Sequence, residues 1–141
     1  MEHTSNQKGD LTELYVLTRF MEMGIIVSTP YGQNSRYDMI IDYNNHLYRI
    51  QVKTSHSDNN GETFMFYSAS SHITARGCHK VTYSKDEIDF FATIWDNQLY
   101  LIPVEECGST VTLRIAPPKN NATKNIRFAK DYTFKEIMKE K

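Results

Sequence analysis

The sequence predicts an α/β or α+β fold, in which helices pack against a mixed β-sheet. Two observations support this prediction. Apolar residues recur at helical spacing over the first part of the chain, and β-rich runs then alternate with short turns that contain Asn or Asp. With 141 residues and 40% apolar composition, the chain is long enough to bury a sizeable core. We expect residues 1–141 to form a single domain.

The first element is expected to be a helix over about Ser5–Glu22, because Gly24 occupies a usual helix-stop position. Glu13 lies at helical spacing from two apolar residues and should therefore point partly inward. Alternatively, Asp10 and Glu13 could form a capping pair at a later helix start. The predicted apolar face comprises Leu11, Leu14, Tyr15, Leu17, Phe20 and Met21.

A β-hairpin is predicted where apolar-rich runs at residues 37–43 and 46–53 flank Asn44 and Asn45. Asn tolerates the positive φ that two-residue hairpin turns require. This register places Asp38 opposite Gln51, with Lys53 as a diagonal neighbour. Because side chains alternate along a strand, one face carries Met39, Ile41, Tyr48, Ile50 and Val52, and the other carries Asp38, Ile40, Arg49, Gln51 and Lys53.

The remaining elements are predicted from β-rich runs and turn residues. In chain order, we expect a strand at 24–29, a loop at 30–35, a mobile polar segment at 54–62, a further strand of the same sheet at 63–68, a hairpin of 90–95 and 99–104, a strand at 111–115, a polar loop at 117–124 and a helix at 133–139.

Two intervening segments are less regular in sequence. Residues 70–81 show no clean period, which favours a flexible polar loop, although their basic residues could instead form a DNA-facing surface. Ser84 and Glu87 have the spacing of a capping box, in which each side chain bonds the other's backbone N–H group. This spacing predicts a short helix.

The polar face of the first hairpin has a definite chemistry. An acid such as Asp38 with a second oxygen ligand nearby suits a hard divalent cation such as Mg²⁺. A lysine beside them can orient or deprotonate a water molecule, or neutralise charge on a phosphate. From the hairpin alone, however, the more common explanation is a half-exposed strand face with scattered, solvated polar groups.

Composition limits the alternatives. The net charge of −1 gives no global basic signature, which counts against DNA binding unless basic residues cluster locally. Cys78 and Cys107 have neither a Cys-x-x-Cys partner nor zinc-ligand spacing, so reduced thiols in a cytoplasmic protein are expected. No signal peptide is recognised, and no apolar run approaches the ~20 residues of a membrane helix, so no membrane partner is expected.

A family resemblance joins these features. Asp38, followed after 12 residues by Gln51-x-Lys53 and preceded by a helix with Glu13, resembles the PD-(D/E)XK nuclease superfamily. Over roughly residues 5–134, the chain resembles the small group I intron-associated PD-(D/E)XK endonucleases of bacteria. Five blocks carry the likeness: KGDLTE at 8–13, PYGQNSRYD at 30–38, LYRIQVKT at 47–54, IDFFA at 88–92 and LIPVEE at 101–106. Gln51 departs from the superfamily's Glu or Asp but matches the intron-associated branch.

The resemblance implies a restriction-endonuclease-like fold with its active site at one edge of the central sheet. It also implies a Mg²⁺-dependent DNA endonuclease, homing-type or homing-derived, in which Mn²⁺ substitutes. Asp38, Gln51, the Val52 carbonyl and Glu13 would hold the metal, and Lys53 would position the attacking water. Double-stranded DNA would be the substrate, and a homo-oligomer, dimer or tetramer, is expected.

Candidate DNA contacts and alternative functions complete the expectations. The candidate contacts are Arg36, Tyr37, Arg76, Lys80, Lys119, Lys124 and Arg127, although a structural role for Tyr37 is equally consistent with the sequence. A structure-specific nuclease resembling Holliday junction resolvases shares the Glu, Asp and Lys constellation. A DNA-binding or protein-interaction domain with a decayed nuclease site is a third alternative, for which Gln51 is the sequence hint. The fourth is a structural α/β domain without a site.

Overall fold

The computed structural model describes residues 2–32, 34–118, 120 and 125–141, and gives only the backbone for residues 70–74, 79 and 80. The helices are α1 (Ser5–Glu22) and α2 (Phe134–Met138). The strands are β1 (Ile26–Ser28), β2 (Met39–Tyr43), β3 (His46–Val52), β4 (His56–Asp58), β5 (Thr63–Tyr67), β6 (Ser70–Thr74), β7 (Gly77–Val81), β8 (Phe90–Trp95), β9 (Gln98–Pro103) and β10 (Thr110–Arg114).

Helix α1 has the predicted bounds and is capped at Thr4. The Thr4 side chain accepts a hydrogen bond from the Gln7 N–H (3.2 Å), and the Gln7 amide oxygen accepts one from the Thr4 N–H (2.8 Å). The alternative start, with Asp10 and Glu13 as the capping pair, is therefore wrong. Beyond the helix, Gly24 adopts a positive φ of 76°, the conformation expected of a helix stop.

The predicted apolar face of α1 is wrong in part, because the helix contacts the sheet along a narrow stripe. That stripe is Thr12, Val16 and Phe20, at i, i+4 and i+8. Leu14, Tyr15 and Met21 are each more than half exposed. Apolar residues lie on more than one side of this helix, so their spacing alone does not identify the buried side.

The first hairpin has the predicted turn. Asn44 and Asn45 adopt φ of 50° and 64°, and the strands pair antiparallel with Tyr43 opposite His46 and Met39 opposite Ile50. Both Met39 and Ile50 are completely buried. The side chains of Met39 and Ile50 thus lie on the core face that the alternation predicts.

The central sheet has five strands in the order β1-β2-β3-β8-β9, and β3 and β8 are its one parallel pair. Both α-helices pack on one face, where Val16 and Phe20 of α1 and Met138 of α2 join the apolar side chains of β2, β3, β8 and β9. This mixed sheet with helices confirms the predicted fold class. None of the helices in the described residues is long and apolar enough to cross a membrane.

A second, three-stranded sheet covers the other face of β8 and β9. Its order is β10-β5-β4, and Phe64 and Phe66 of β5 pack with Phe91 of β8 in a second apolar cluster. The prediction that residues 63–68 extend the central sheet is wrong, because a strand's local pattern does not reveal which sheet it joins. The segment expected to be polar and mobile, 54–62, contains the exposed strand β4 and a 3₁₀ turn.

Two further predictions fail between β5 and β8. Residues 70–81 form the antiparallel pair β6–β7 rather than a loop, although their sequence lacks the apolar alternation on which strand prediction depends. The Glu87 carboxylate accepts hydrogen bonds from the Ser84 N–H (3.2 Å) and the Ser84 hydroxyl (3.4 Å), but the Glu87 N–H donates to the Ser84 carbonyl and not to its side chain. Half of the capping box therefore forms, and the chain makes one turn and no helix. The chain cannot continue as a helix there because the Asp89 N–H already bonds the Arg49 carbonyl, which starts β8 beside β3.

The C-terminal elements agree with the sequence to within one or two residues. Strands β8 and β9 form a hairpin whose turn residues, Asp96 and Asn97, have positive φ. Strand β10 and helix α2, which is capped by Thr133, follow as expected. Residues 119 and 121–124 of the predicted polar loop lie outside the described residues.

Candidate active site

Asp38 lies just before β2, where regular pairing with β3 stops. Its N–H donates to the Ile50 carbonyl (2.8 Å), although Ile50 is already the partner of Met39, so two residues oppose one as in a β-bulge. The expected Asp38–Gln51 pair therefore does not form. Instead, an Asp38 carboxylate oxygen accepts the next β3 hydrogen bond, from the Val52 N–H (2.8 Å).

This hydrogen bond fixes the carboxylate beside the end of β3. The N–H and C=O groups of one strand residue point to the same side, so the Val52 carbonyl also points toward Asp38. Burial raises the pKa of Asp38 above its ordinary value, while the Val52 N–H and the Lys53 charge act to lower it. The Lys53 ammonium is thus within electrostatic reach of Asp38.

Lys53 is anchored by its backbone. Its N–H donates to the Ala92 carbonyl of β8 (2.9 Å), and its Nζ atom lies 5.2 Å from the ring centroid of Tyr83. Gln51 and Lys53 alternate with the core residues Ile50 and Val52, so their side chains leave the sheet on the face opposite α1. Gln51 is half-buried.

Glu13 approaches from α1, on the other side of the sheet. Burial raises its pKa first, and the negative charges of Asp38 and Asp10 raise it further. Because the Asp38 charge acts on Glu13, the two carboxylates lie near each other. Asp38 therefore has Glu13 on the helix side and Lys53 on the opposite side.

A hydroxyl pair ties α1 to the residue after Lys53. The oxygen atoms Oγ1 of Thr12 and Thr54 are 2.9 Å apart, and the Thr12 hydroxyl also donates to the Lys8 carbonyl (2.9 Å). A hydroxyl has one proton, so Thr54 donates to Thr12. Glu13 follows Thr12 and Lys53 precedes Thr54 in sequence. The hydroxyl pair therefore fixes the position of Glu13 on the helix relative to Lys53 at the end of β3.

The donor set fits a hard cation, although it contains few charges. Within the described residues, no ion pair involves Glu13 or Asp38, and no group of three or more His, Cys, Asp or Glu side chains could hold a metal. The Asp38 and Glu13 carboxylates and the Val52 carbonyl supply oxygen donors at this end of β3, whereas the Gln51 side chain leaves the strand on the face opposite α1. Oxygen-only donors of this kind match the preference of Mg²⁺.

Of the predicted DNA contacts, Arg36 is placed near the site but is engaged within the protein. Its Nε atom lies 2.6 Å from Glu87, and its Nη2 atom donates to the Thr82 carbonyl (3.0 Å). This arginine holds the pKa of Glu87 below its usual range. Tyr37 packs against the second apolar cluster, which supports its structural role.

The structure describes the side chains of two of the other predicted contacts, Arg76 and Arg127. Arg127 donates to the Glu106 carbonyl, and Arg76 is exposed in the turn between β6 and β7. Lys80 belongs to β7, but its side chain is outside the described part of the chain, as are Lys119 and Lys124 entirely. The residue that sequence reasoning missed is Tyr83, because a single tyrosine in a short connection gives no signal.

An acid just before one strand and a Q-x-K pattern on the neighbouring strand match the sequence pattern of the PD-(D/E)XK nucleases. The sequence pattern of the PD-(D/E)XK endonucleases matches residues 3–135, so the chain belongs to this family and is a nuclease. The solved structure of the bacterial homing endonuclease I-Ssp6803I is similar in fold, with a TM-score of 0.78 and 20% sequence identity over 93% of this chain and 89% of that chain. No curated protein matches the chain.

The electrostatics of Glu13 yield a prediction about stability. The raised pKa of Glu13 means that the native state disfavours its charged form. As pH rises from the pKa of Glu13 in the unfolded state to that in the native state, the free energy of unfolding therefore falls. We expect Glu13→Gln, without added metal, to raise the melting temperature by a few degrees at pH 8. The gain should vanish below about pH 4, where both states are protonated.

Thermal unfolding followed by circular dichroism at several pH values tests this expectation. Glu140→Gln removes the same charge from an exposed position near the C-terminus and serves as the control. An equal gain in both variants would assign the effect to net charge rather than to the site. A gain that persists at pH 3, where the carboxyl group is neutral, would show that the carboxylate charge is not its cause.

Proposed function

We propose that residues 1–141 form a single nuclease domain and that this domain is a Mg²⁺-dependent DNA endonuclease, homing-type or homing-derived. The observation that carries the proposal is the Asp38 carboxylate hydrogen-bonded to the Val52 N–H, with Lys53 and Glu13 beside it. Membership of the PD-(D/E)XK endonuclease family supports the chemistry, and the likeness to a homing endonuclease structure supports the type.

The site residues divide into two roles under this proposal. Asp38, Glu13, Gln51 and the Val52 carbonyl hold the ion, which when bound polarises the scissile phosphate and activates water. Mn²⁺, which accepts the same oxygen ligands, substitutes for it. Lys53 orients the attacking water through its ammonium N–H groups and offsets negative charge that develops on the phosphate.

Double-stranded DNA contact requires a local basic surface, because the chain has a net charge of −1. Arg76, Lys80, Lys119 and Lys124 are our candidates for phosphate contacts. Arg36 and Arg127 are further candidates, and their guanidinium groups also bond protein acceptors. Phosphate contacts give affinity that falls with salt and carries no sequence information.

Cleavage of defined DNA substrates tests the function. A plasmid library with randomised inserts and a synthetic four-way junction are incubated with the protein in Mg²⁺, Mn²⁺ or EDTA, and cut ends are sequenced. We expect metal-dependent cutting of a subset of linear duplexes. Cutting of the junction alone would favour a resolvase-like nuclease, and DNA binding without cutting in either metal would indicate a decayed site.

Lys53→Ala should lower the cleavage rate by about 10²–10³-fold, the usual effect of removing one electrostatic group that stabilises a transition state. DNA affinity should remain nearly unchanged, since a single charge contributes little to a phosphate-dominated interface. Single-turnover cleavage and fluorescence anisotropy with labelled duplex measure the two quantities. Lys85→Ala, which removes an exposed lysine whose Nζ atom lies 3.9 Å from Glu105, is the matched control. Cleavage by Lys53→Ala at the wild-type rate would remove Lys53 from the mechanism.

Substitutions of Gln51 test whether its side chain is a metal ligand and how the charge of that ligand affects metal binding. We expect Gln51→Glu to cleave at a lower Mg²⁺ concentration, because it places a third carboxylate near the ion. Even two unit charges 4 Å apart attract by about 4 kcal/mol at an effective dielectric of 20, before desolvation. Gln51→Ala loses an oxygen ligand and should require more Mg²⁺. Titration of cleavage with Mg²⁺ for the three proteins gives the midpoints. An unchanged midpoint and rate for Gln51→Ala would show that Gln51 is not a ligand.

The protein should assemble as a homo-oligomer, dimer or tetramer. One copy carries one cluster around Asp38, whereas cutting both strands of a duplex uses two sites related by symmetry. Light scattering coupled to size exclusion, with and without duplex DNA, measures the mass, for which one chain contributes 16.4 kDa. A monomer under both conditions contradicts this expectation.

A further inference from the structure

Tyr83 lies between two cationic side chains at the edge of the candidate site. The Arg36 Cζ atom is 3.8 Å from the centre of its ring, and the Lys53 Nζ atom is 5.2 Å from the same point. The ring also meets Phe91 edge-on, with centroids 5.4 Å apart and planes at 85°. Phe91 is 1% exposed, so the tyrosine ring is supported by a rigid part of the core.

The arginine side of this arrangement is fixed independently of Lys53. Glu87 and the Thr82 carbonyl both bond the Arg36 guanidinium, which holds it over the ring. The Glu87 carboxylate also neutralises Arg36 at close range. Without that carboxylate, two positive charges on one ring would repel each other, and the long lysine side chain would be the one to move.

Lys53 has much less support of its own. Among the described residues, its ammonium makes no ion pair within 4 Å. It lies near the Tyr83 ring and interacts electrostatically with Asp38. A lysine side chain has four rotatable carbon–carbon bonds, so it adopts many conformations unless a neighbour restricts it. An aromatic face within about 6 Å of an ammonium supplies such a restriction by electrostatic attraction.

We propose that Tyr83 is a positioning residue for Lys53. The inference rests on the proposed function, in which Lys53 acts at the reacting phosphate. The face of the aromatic ring, held by Arg36 and Phe91, directs the ammonium toward Asp38. The Tyr83 hydroxyl has no part in this role, so phenylalanine should replace tyrosine, whereas leucine should not.

The expected effect follows from the strength of a cation–π contact. Tyr83→Leu should lower the single-turnover cleavage rate by about 5- to 30-fold, while Tyr83→Phe should cleave like the wild type. The affinity for duplex DNA should stay unchanged in both, because a single ammonium contributes little to a phosphate-dominated interface. Tyr67→Leu, at an exposed tyrosine of β5, controls for loss of an aromatic ring.

A double-mutant cycle distinguishes positioning from a general structural role. In a Lys53→Ala background, measured with long incubations at high enzyme concentration, Tyr83→Leu should cause no further loss. A further loss of the same size would show that Tyr83 acts elsewhere. Equal damage by Tyr83→Phe and Tyr83→Leu would assign the effect to the hydroxyl. Either result overturns the inference.

A spectroscopic measurement keeps the test independent of how Tyr83→Leu folds. A ring 5.2 Å from Nζ should shift the Lys53 ε-methylene protons upfield in the spectrum of protein with ¹³C-labelled lysine, assigned by the missing peak in Lys53→Arg. The shift should persist in Tyr83→Phe. Its absence from the wild type overturns the inference, whereas a wild type that shows the shift but cuts no DNA refutes only the proposed function.

Discussion

The hydrogen bond from the Val52 N–H to the Asp38 carboxylate determines the geometry of the candidate site. Just before β2 begins, a side chain takes the place of a backbone carbonyl in the ladder with β3. Because of the bulge at Asp38, the carboxylate points along the sheet toward β3 rather than above or below the sheet. Val52 is buried, so without this acceptor its N–H would be left unsatisfied, at a cost of about 1–3 kcal/mol.

The other groups reach Asp38 from opposite layers of the molecule. Glu13 belongs to the helix that covers one face of the central sheet, and the Thr12–Thr54 hydroxyl pair holds this part of the helix beside the end of β3. Lys53 leaves on the other face, beside Tyr83 and the three-stranded sheet. Negative charge therefore collects on the helix side and positive charge on the opposite side, with the Asp38 carboxylate between them. Such a separation suits a cation and a polarised water.

The sequence was most informative where local chemistry determines structure. The Asn44-Asn45 turn, the Gly24 stop and the alternation along β3 are local, and the structure agrees with all three. The family motif also located Asp38 and Lys53, which the structure brings together. Long-range features were harder to infer. The sheet that β5 joins, the buried side of α1 and the engagement of Arg36 by Glu87 depend on residues distant in sequence.

The role of Asp38 in the β-ladder bears on how such proteins lose activity. A chain that no longer cut DNA would be free to change Lys53 or Gln51, which have few structural partners in the described residues. It would not be equally free to change Asp38, because that carboxylate also completes the backbone pairing of a buried strand. Folding alone would then preserve the acid over evolutionary time. Under the proposed function, an intact aspartate is therefore poor evidence that a descendant of this protein still cuts DNA, and the lysine is the better indicator.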